Sequence, residues 1–94
     1  MTPEGRLTAA ITAALRARGA WVLKYHVGPY SRPGTPDLLA CYQGCFVALE
    51  VKTHASRARV TPLQRRALDM IRAAGGTAQV VTSIDEALTA LGDR

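Results

Sequence analysis

Two short apolar runs separated by a turn signal constrain this chain more than any other feature of its sequence. The first run covers residues 38–42, a Gln-Gly pair supplies the turn, and the second run covers residues 45–52. Runs of this kind predict two antiparallel strands joined as a β-hairpin. A hairpin brings the start of its first strand beside the end of its second. We therefore expect Asp37, which directly precedes the first run, to lie next to Glu50.

Three charged side chains at this end of the hairpin form a candidate site for a divalent cation. Because side chains alternate along a strand, Glu50 and Lys52 point to one face and Val51 points to the other. The carboxylates of Asp37 and Glu50 supply the oxygen ligands that hard divalent cations prefer. An ammonium group beside such a cation can hold a reacting water or a phosphate.

Structural roles are the alternative for the same residues. Asp37 follows a proline and can be a turn residue at the start of a strand. Glu50 and Lys52 can form a salt pair on an exposed strand. Glu50, however, lies in an apolar run that is typical of a strand buried on both faces, and burying an unpaired charge is costly. This argument favours a functional role.

The remaining segments predict a single α/β domain over all 94 residues. Hydroxyl caps, followed by proline or by a partner side chain, predict three helices, which begin after Thr2, Thr61 and Ser83. Residues 21–27 and 77–82 predict two further strands. Apolar residues at helical spacing predict the buried stripes of the first two helices, namely Leu7, Ala10, Ile11, Ala14 and Leu15, then Ala67, Leu68, Ile71 and Ala74.

Two polar residues lie on the inward stripes of these helices. Glu4 either has a task at the site or is a favourable charge near a helix N-terminus. Gln64 is expected to pair with Thr61 in a capping box, and it can also face Lys52. Both interpretations of each residue stay open at this point.

The net charge of +5 suits a polyanionic partner. Residues 28–36 form a Gly/Pro-rich loop that ends at the candidate site, where an aromatic ring can stack on a base and a guanidinium can pair with a phosphate. The alternative is an ordinary connecting loop. The candidate contacts to nucleic acid are Lys24, Tyr30, Arg32, Arg57, Arg59 and Arg65.

The cysteine and hydropathy patterns argue for a cytosolic protein. Cys41 and Cys45 lie on either side of the hairpin turn and are expected to be reduced, buried and inert. No apolar run approaches the roughly 20 residues that a membrane span needs, and we expect no membrane partner.

These residues, in this order, resemble the PD-(D/E)xK nuclease superfamily and, within it, the stand-alone VRR-NUC domain of phages and bacteria. The resemblance covers nearly the whole chain. The matching segments are Glu4, Gly34-Thr-Pro-Asp37, Glu50-Val-Lys52, Thr61-Pro-Leu-Gln64, Ala73-Ala-Gly-Gly76 and Ala78-Gln-Val-Val81. The resemblance implies a restriction-endonuclease-like core, a mixed β-sheet flanked by helices in the order αβββαβ(α).

The resemblance also implies the cofactor and its ligands. Mg²⁺ or Mn²⁺ would be bound by Asp37, Glu50 and the backbone carbonyl of Val51, and Glu4 would reach the same metal directly or through water.

Two further residues receive catalytic roles from the resemblance. Lys52 would orient the attacking water or stabilise the charged phosphate, and Gln64 would support Lys52 from the facing helix.

Archaeal Holliday-junction resolvases share the same core, so the expected activity is cleavage of branched or structured DNA by a homodimer in the cytoplasm of a bacterial or phage-infected cell. The alternatives are a nuclease with little structure preference and an inactive, basic DNA-binding module.

Overall fold

The computed structural model describes residues 1–26 and 28–92. Within these residues the elements are α1 (Pro3–Ala17), β1 (Trp21–Lys24), β2 (Leu38–Tyr42), β3 (Cys45–Val51), α2 (Pro62–Ala73), β4 (Thr77–Val81) and α3 (Ile84–Leu91). This order confirms the predicted α/β fold class. None of these helices has both the length and the apolar character needed to cross a lipid bilayer.

The predicted hairpin lies at the centre of a four-stranded sheet. Gln43 and Gly44 both adopt positive φ angles, 49° and 79°, and such angles match the tight turns that join twisted strands. β2 pairs with β3 in an antiparallel register that sets Leu38 opposite Leu49. β1 is antiparallel to β2, whereas β4 is parallel to β3, so the sheet is mixed in the order β1-β2-β3-β4.

The two faces of the sheet differ in how completely they are covered. α1 and α3 cover one face, where Leu15 and Val47 belong to a continuous buried core. α2 lies against the other face, where Leu68 packs with Ala48. Glu50 lies two residues beyond Ala48 on the same strand and therefore faces the α2 side. This arrangement positions the carboxylate of Glu50 at one end of the α2 face.

Side-chain caps begin the helices where the sequence predicts them. The hydroxyl of Thr2 accepts the backbone N–H of Gly5 at 3.0 Å, and Ser83 accepts the N–H of Glu86 at 3.0 Å. The Glu86 side chain accepts the N–H of Thr82, the residue before the cap residue Ser83, at 2.6 Å. Caps of this kind satisfy backbone donors that would otherwise have no partner.

The first strand is shorter than predicted. β1 ends at Lys24, and the predicted positions at Tyr25 and His26 lie outside the strand; Val27 lies outside the described residues. The physical reason is the loss of a partner, since β1 is antiparallel to β2 and β2 begins at Leu38. One further hydrogen bond, from the N–H of Tyr25 to the carbonyl of Asp37 at 2.8 Å, ends the pairing of β1 with β2.

Three predictions of burial are wrong. Ala10 and Ala74 are exposed, whereas Thr8 is buried in α1 and its hydroxyl donates to the Glu4 carbonyl at 2.8 Å. Cys41 is exposed rather than buried. It lies on the part of the sheet that α2 does not cover, which the strand pattern alone does not show.

Candidate metal-binding and catalytic site

The two predicted carboxylates meet at the end of β3, where α2 begins. The β2–β3 register, continued by one residue, sets Asp37 opposite Glu50. The backbone N–H of Val51 donates to Asp37 Oδ2 at 2.7 Å and fixes that carboxylate against β3. The strand register places the backbone of Asp37 beside β3, and this hydrogen bond orients its side chain.

Glu50 is 2% exposed, although it is a carboxylate. Its Oε2 lies 3.7 Å from Nζ of Lys52 and accepts a hydrogen bond from Nε2 of Gln64 at 3.4 Å. Its Oε1 is buried and has no hydrogen-bond partner among the described residues. A buried oxygen without a partner costs free energy, and such groups in native proteins call for an explanation such as a bound ion.

Burial raises the pKa of Glu50 from 4.5 to about 8, and the negative charge of Asp37 adds to the rise while Lys52 opposes it. The facing carboxyls of Asp37 and Glu50 therefore favour holding one proton between them at neutral pH when no metal is bound. A cation bound between the two carboxylates would replace that proton, since carboxylate ligands bind metals in their ionised form.

We expect the stability of the metal-free protein to fall as pH rises from about 4.5 to about 8. Between these values the native state keeps a proton that the unfolded state has lost, so raising the pH favours unfolding. Each pKa unit corresponds to about 1.4 kcal/mol, which makes a loss of a few kcal/mol the upper limit. Urea unfolding in EDTA across this range measures the effect. Glu50→Gln should reduce the dependence of the unfolding free energy on pH, whereas Asp85→Asn, an exposed control, should not. Equal slopes of the unfolding free energy against pH in the wild type and both variants would contradict the prediction.

Gln64 joins the start of α2 to the candidate site. Its Oε1 accepts the N–H of Thr61 at 2.9 Å and its own N–H donates to the Thr61 hydroxyl at 3.1 Å, which confirms the predicted capping box. The Nε2 of the same side chain donates to Glu50. The capping box fixes the side chain of Gln64, and the Nε2 end of its amide holds Glu50 in place. Gln64 thus contacts the carboxylate beside Lys52, and the structure gives no direct contact between Gln64 and Lys52.

Gly34 fits the loop before Asp37 against the first turn of α2. It has a φ of +81°, and a Cβ built there would lie 2.5 Å from the carbonyl oxygen of Leu63 and 3.0 Å from the backbone nitrogen of Gln64. Backbone is hard to displace, so only glycine allows this approach. The contact sets the distance between the loop that carries Asp37 and the helix that carries Gln64.

Gly34→Ala is expected to lower both the stability and the metal affinity of the site. An alanine at this positive φ would be strained by about 1–3 kcal/mol. Its Cβ would also clash with the backbone of α2, so either Asp37 or Gln64 would have to move. Gly44→Ala is a matched control, since Gly44 has a φ of +79° with nothing within 4 Å of the added Cβ. Urea unfolding of both variants measures the change in stability, and Mn²⁺ titration measures the change in metal affinity. Equal Mn²⁺ affinities in the two variants would show that the loop contact does not position the site.

Glu4 is near the site without joining the pair of carboxylates. It lies in the first turn of α1 and is half-buried. Its charge contributes to the raised pKa of Glu50, after burial and Asp37. Among residues 1–26 and 28–92, no three His, Cys, Asp or Glu side chains are arranged to hold a metal ion. The structure therefore brings Asp37 and Glu50 together and sets Glu4 close enough for its charge to act on Glu50, and the contact of Glu4 with a metal stays a prediction.

The candidate DNA contacts fall into two groups. Arg57 hydrogen-bonds Thr82 and forms an ion pair with Glu86, both at 3.2 Å, so it ties the loop after β3 to α3. The other residues have side chains open to solvent, and Tyr30 is fully exposed. These exposed residues are Lys24, Tyr30, Arg32, Arg59 and Arg65.

Tyr25 is a positioning residue that the sequence did not reveal. Its hydroxyl accepts the N–H of Arg32 at 2.9 Å, and its own N–H donates to the Asp37 carbonyl. It therefore holds the middle of the loop over residues 28–36 and the residue at which that loop ends, Asp37. The alternating strand pattern around Tyr25 gave no signal for this role.

The fold of this chain has a counterpart of known structure. The structure is similar to a solved structure described as "VRR_NUC domain", with a TM-score of 0.77 and 28% sequence identity, over 95% of this chain and 94% of that chain. No protein-family model matches the sequence, and no curated protein sequence matches it. The chain has the fold of a VRR-NUC domain, which confirms the resemblance found in its sequence and indicates a nuclease with DNA as its partner.

The side chains present fit a hard divalent cation. Mg²⁺ binds through one or two carboxylates and keeps several waters, and the facing pair Asp37 and Glu50 offers that number. The buried Oε1 of Glu50, which has no partner in the described part of the chain, is a suitable ligand atom. The acceptor-only, all-oxygen character of the pair suits Mg²⁺ or Mn²⁺ better than a soft metal.

Proposed function

We propose that this domain is a metal-dependent endodeoxyribonuclease that hydrolyses phosphodiester bonds in branched or otherwise structured DNA. The observation that carries the proposal is the buried carboxylate of Glu50, which faces Asp37 and has the ammonium of Lys52 at 3.7 Å. A binding-only module has no need for paired carboxylates, because negative charge repels DNA phosphates.

Each residue of the site has a separate task in this mechanism. Asp37 and Glu50 would hold Mg²⁺ or Mn²⁺, and the ion would lower the pKa of a bound water and neutralise charge on the phosphate. Val51 fixes Asp37 through its backbone N–H, and Gln64 fixes Glu50 through its amide. These two contacts hold the carboxylates in place before any ligand arrives, which is what an efficient site requires.

Lys52 supplies a cation beside the reacting groups. Its side chain is 11% exposed, so it is partly screened from solvent while its Nζ stays near Glu50. In such an environment a positive charge acts more strongly on a developing negative charge than it does in water. The burial of Lys52 and its distance from Glu50 support a role in orienting the attacking water or in stabilising the phosphate as it reacts.

The preference for structured DNA is the finer part of the proposal. It rests on the resemblance of the core to that of archaeal Holliday-junction resolvases and on the exposed basic side chains near the loop over residues 28–36. A homodimer would supply two sites for two strands. Activity on plain duplex is the second candidate, since nothing in a basic surface by itself distinguishes a branch from a duplex.

Cleavage assays with labelled four-way junctions, flaps, duplex and single strands test the proposal. Each substrate is incubated with Mg²⁺, with Mn²⁺ or with EDTA. We expect cleavage with either metal, none with EDTA, and faster cleavage of the branched substrates. Cleavage that continues in EDTA would remove the metal from the mechanism, and equal rates on duplex and junction would remove the structure preference.

A further inference from the structure

The segment over residues 53–60, which we call the 53–60 loop, connects two residues of the candidate site. It leaves β3 directly after Lys52 and ends at Thr61, the residue that caps α2 and pairs with Gln64. Lys52 and Gln64 both contact Glu50, and the loop is the stretch of chain between them. The conformation of this loop therefore bears on both contacts.

Hydrogen bonds fix the beginning of this loop. The N–H of Lys52 donates to the carbonyl of Val81 at 3.0 Å. The N–H of Thr53 donates to the hydroxyl of Ser56 at 2.9 Å, and the N–H of Ser56 donates back to the Thr53 carbonyl at 3.0 Å. The turn that these bonds close begins at the residue directly after Lys52.

Arg57, the residue after this turn, ties the loop to α3 through two acceptors. Its Nη1 donates to the hydroxyl of Thr82 and to Oε2 of Glu86, each at 3.2 Å. Thr82 is 5% exposed and directly follows Val81, whose carbonyl accepts the N–H of Lys52. The contacts thus form a closed ring that starts and ends at Lys52.

Glu86 is held in place to receive the guanidinium of Arg57. Its Oε1 accepts the N–H of Thr82 at 2.6 Å and the hydroxyl of Thr82 at 2.9 Å. These hydrogen bonds from Thr82 are the main reason that the pKa of Glu86 is lowered, and Arg57 adds a smaller effect. The carboxylate is therefore ionised at neutral pH, and its other oxygen pairs with Arg57.

An arginine in this place can bind a DNA phosphate or hold the loop. A phosphate would have to displace Glu86 from Arg57 and would leave the negative charge of Glu86 beside the DNA, which is unfavourable. The side chains of Arg57 and Glu86 are 51% and 37% exposed, and ion pairs this exposed contribute little to the free energy of unfolding. The contacts therefore favour a role in placing the loop.

We propose that Arg57 is a positioning residue that holds the 53–60 loop against α3 through Glu86. In this role it keeps the ammonium of Lys52 beside Glu50, and it does not bind DNA. The hold on the loop stands on the contacts themselves, and its effect on cleavage rests on the proposed function.

Amide hydrogen exchange, measured by NMR on the metal-free protein, tests the hold on the loop. We expect Arg57→Ala and Glu86→Gln each to speed exchange of the Thr53 amide roughly tenfold or more, because the turn opens more often. Thr53 lies four residues before Arg57, so the substitution does not change the intrinsic exchange rate of this amide. Glu86→Gln keeps an oxygen for the N–H of Thr82 and removes the charge that pairs with Arg57.

Arg59→Ala and Asp85→Asn are the matched controls for amide exchange. Arg59 is exposed on the same loop and Asp85 is exposed in the first turn of α3, so each control removes the same charge as one test variant. Neither control should change the exchange of the Thr53 amide. The urea midpoints of Arg57→Ala and Glu86→Gln should stay close to that of the wild type, so faster exchange reports on the loop and not on global unfolding.

The salt dependence of DNA binding distinguishes a positioning residue from a phosphate contact. In anisotropy titrations of a plain duplex without metal, the loss of one phosphate contact lowers the slope of log affinity against log salt by about 1. We expect Arg57→Ala to keep the wild-type slope, and a decrease of about 1 would overturn the inference. A Glu86→Gln variant that binds DNA more tightly than Asp85→Asn would also overturn it, because Glu86 would then be blocking a phosphate contact.

The rate of cleavage measures the consequence for Lys52. At saturating junction DNA and Mn²⁺, we expect Arg57→Ala and Glu86→Gln each to lower the rate roughly ten- to a hundredfold with little change in KM, because a small displacement of Lys52 misplaces its charge. The double variant should lose no more than either single variant, since both substitutions break one contact. Rates equal to that of the wild type would overturn the effect on Lys52.

The possible outcomes separate this inference from the proposed function. Exchange of the Thr53 amide that both Arg57→Ala and Glu86→Gln leave unchanged, or that Arg59→Ala speeds equally, overturns the inference whether or not the protein cuts DNA. Faster exchange in the two test variants alone, in a protein whose wild type cuts no DNA with either metal, upholds the hold on the loop and overturns the proposed function.

Discussion

Asp37→Asn is expected to abolish DNA cleavage while leaving the fold intact. The amide keeps one oxygen that can accept the N–H of Val51, so the hydrogen bond at 2.7 Å has a replacement. It removes, however, one of the two negative charges that would hold the cation. We expect the cleavage rate to fall by about three orders of magnitude or more, comparable to the loss of a principal electrostatic contact in other active sites.

Calorimetric titration with Mn²⁺ and urea unfolding in EDTA check this expectation. Mn²⁺ affinity should be lost in Asp37→Asn and unchanged in Asp85→Asn, which removes an exposed carboxylate from α3. The metal-free variant should be at least as stable as wild type at pH 8, because the charge of Asp37 is one cause of the raised pKa of Glu50. Unchanged Mn²⁺ affinity in Asp37→Asn would exclude Asp37 as a ligand.

The part of the site that could be predicted from the sequence is the part that local rules determine. The two-residue turn fixes the register of the hairpin, and the register alone sets Asp37 opposite Glu50. The capping box of Thr61 and Gln64 follows from their spacing in the same way. Each of these features depends on neighbours within one hairpin or one helical turn.

The remaining features depend on how separate elements pack, which periodicity does not encode. The effect of the Glu4 charge on Glu50 depends on the docking of α1, and the pairing of Arg57 with Glu86 depends on the approach of the loop to α3. The exposure of Cys41 follows from the limited width of the face that α2 covers. Alternating strands predict two apolar faces, but they do not say how much of each face a helix will cover.

Lys52→Ala is expected to reduce the rate of cleavage far more than the affinity for DNA. One lysine is a small share of a chain that has 12 Lys and Arg residues, so metal-free DNA binding, measured by fluorescence anisotropy, should weaken by no more than about tenfold. The rate should fall by about two orders of magnitude or more, because the lost charge lies beside the reacting phosphate.

The effect of Lys52 on its neighbour must be separated from its effect on the reaction. Lys52 opposes the rise in the pKa of Glu50, so its removal makes Glu50 harder to ionise and weakens metal binding. Rates are therefore compared at saturating Mn²⁺ and over a pH series, where a pure metal-binding defect should be rescued at high metal and high pH. Lys24→Ala is the matched control, since it removes one positive charge from an exposed candidate DNA contact on β1 that has no part in the carboxylate pair, and it should therefore affect DNA affinity and not the rate at saturating DNA. Equal losses in rate and in affinity would make Lys52 a simple phosphate contact, and full rescue by Mn²⁺ would confine its role to holding Glu50 ionised.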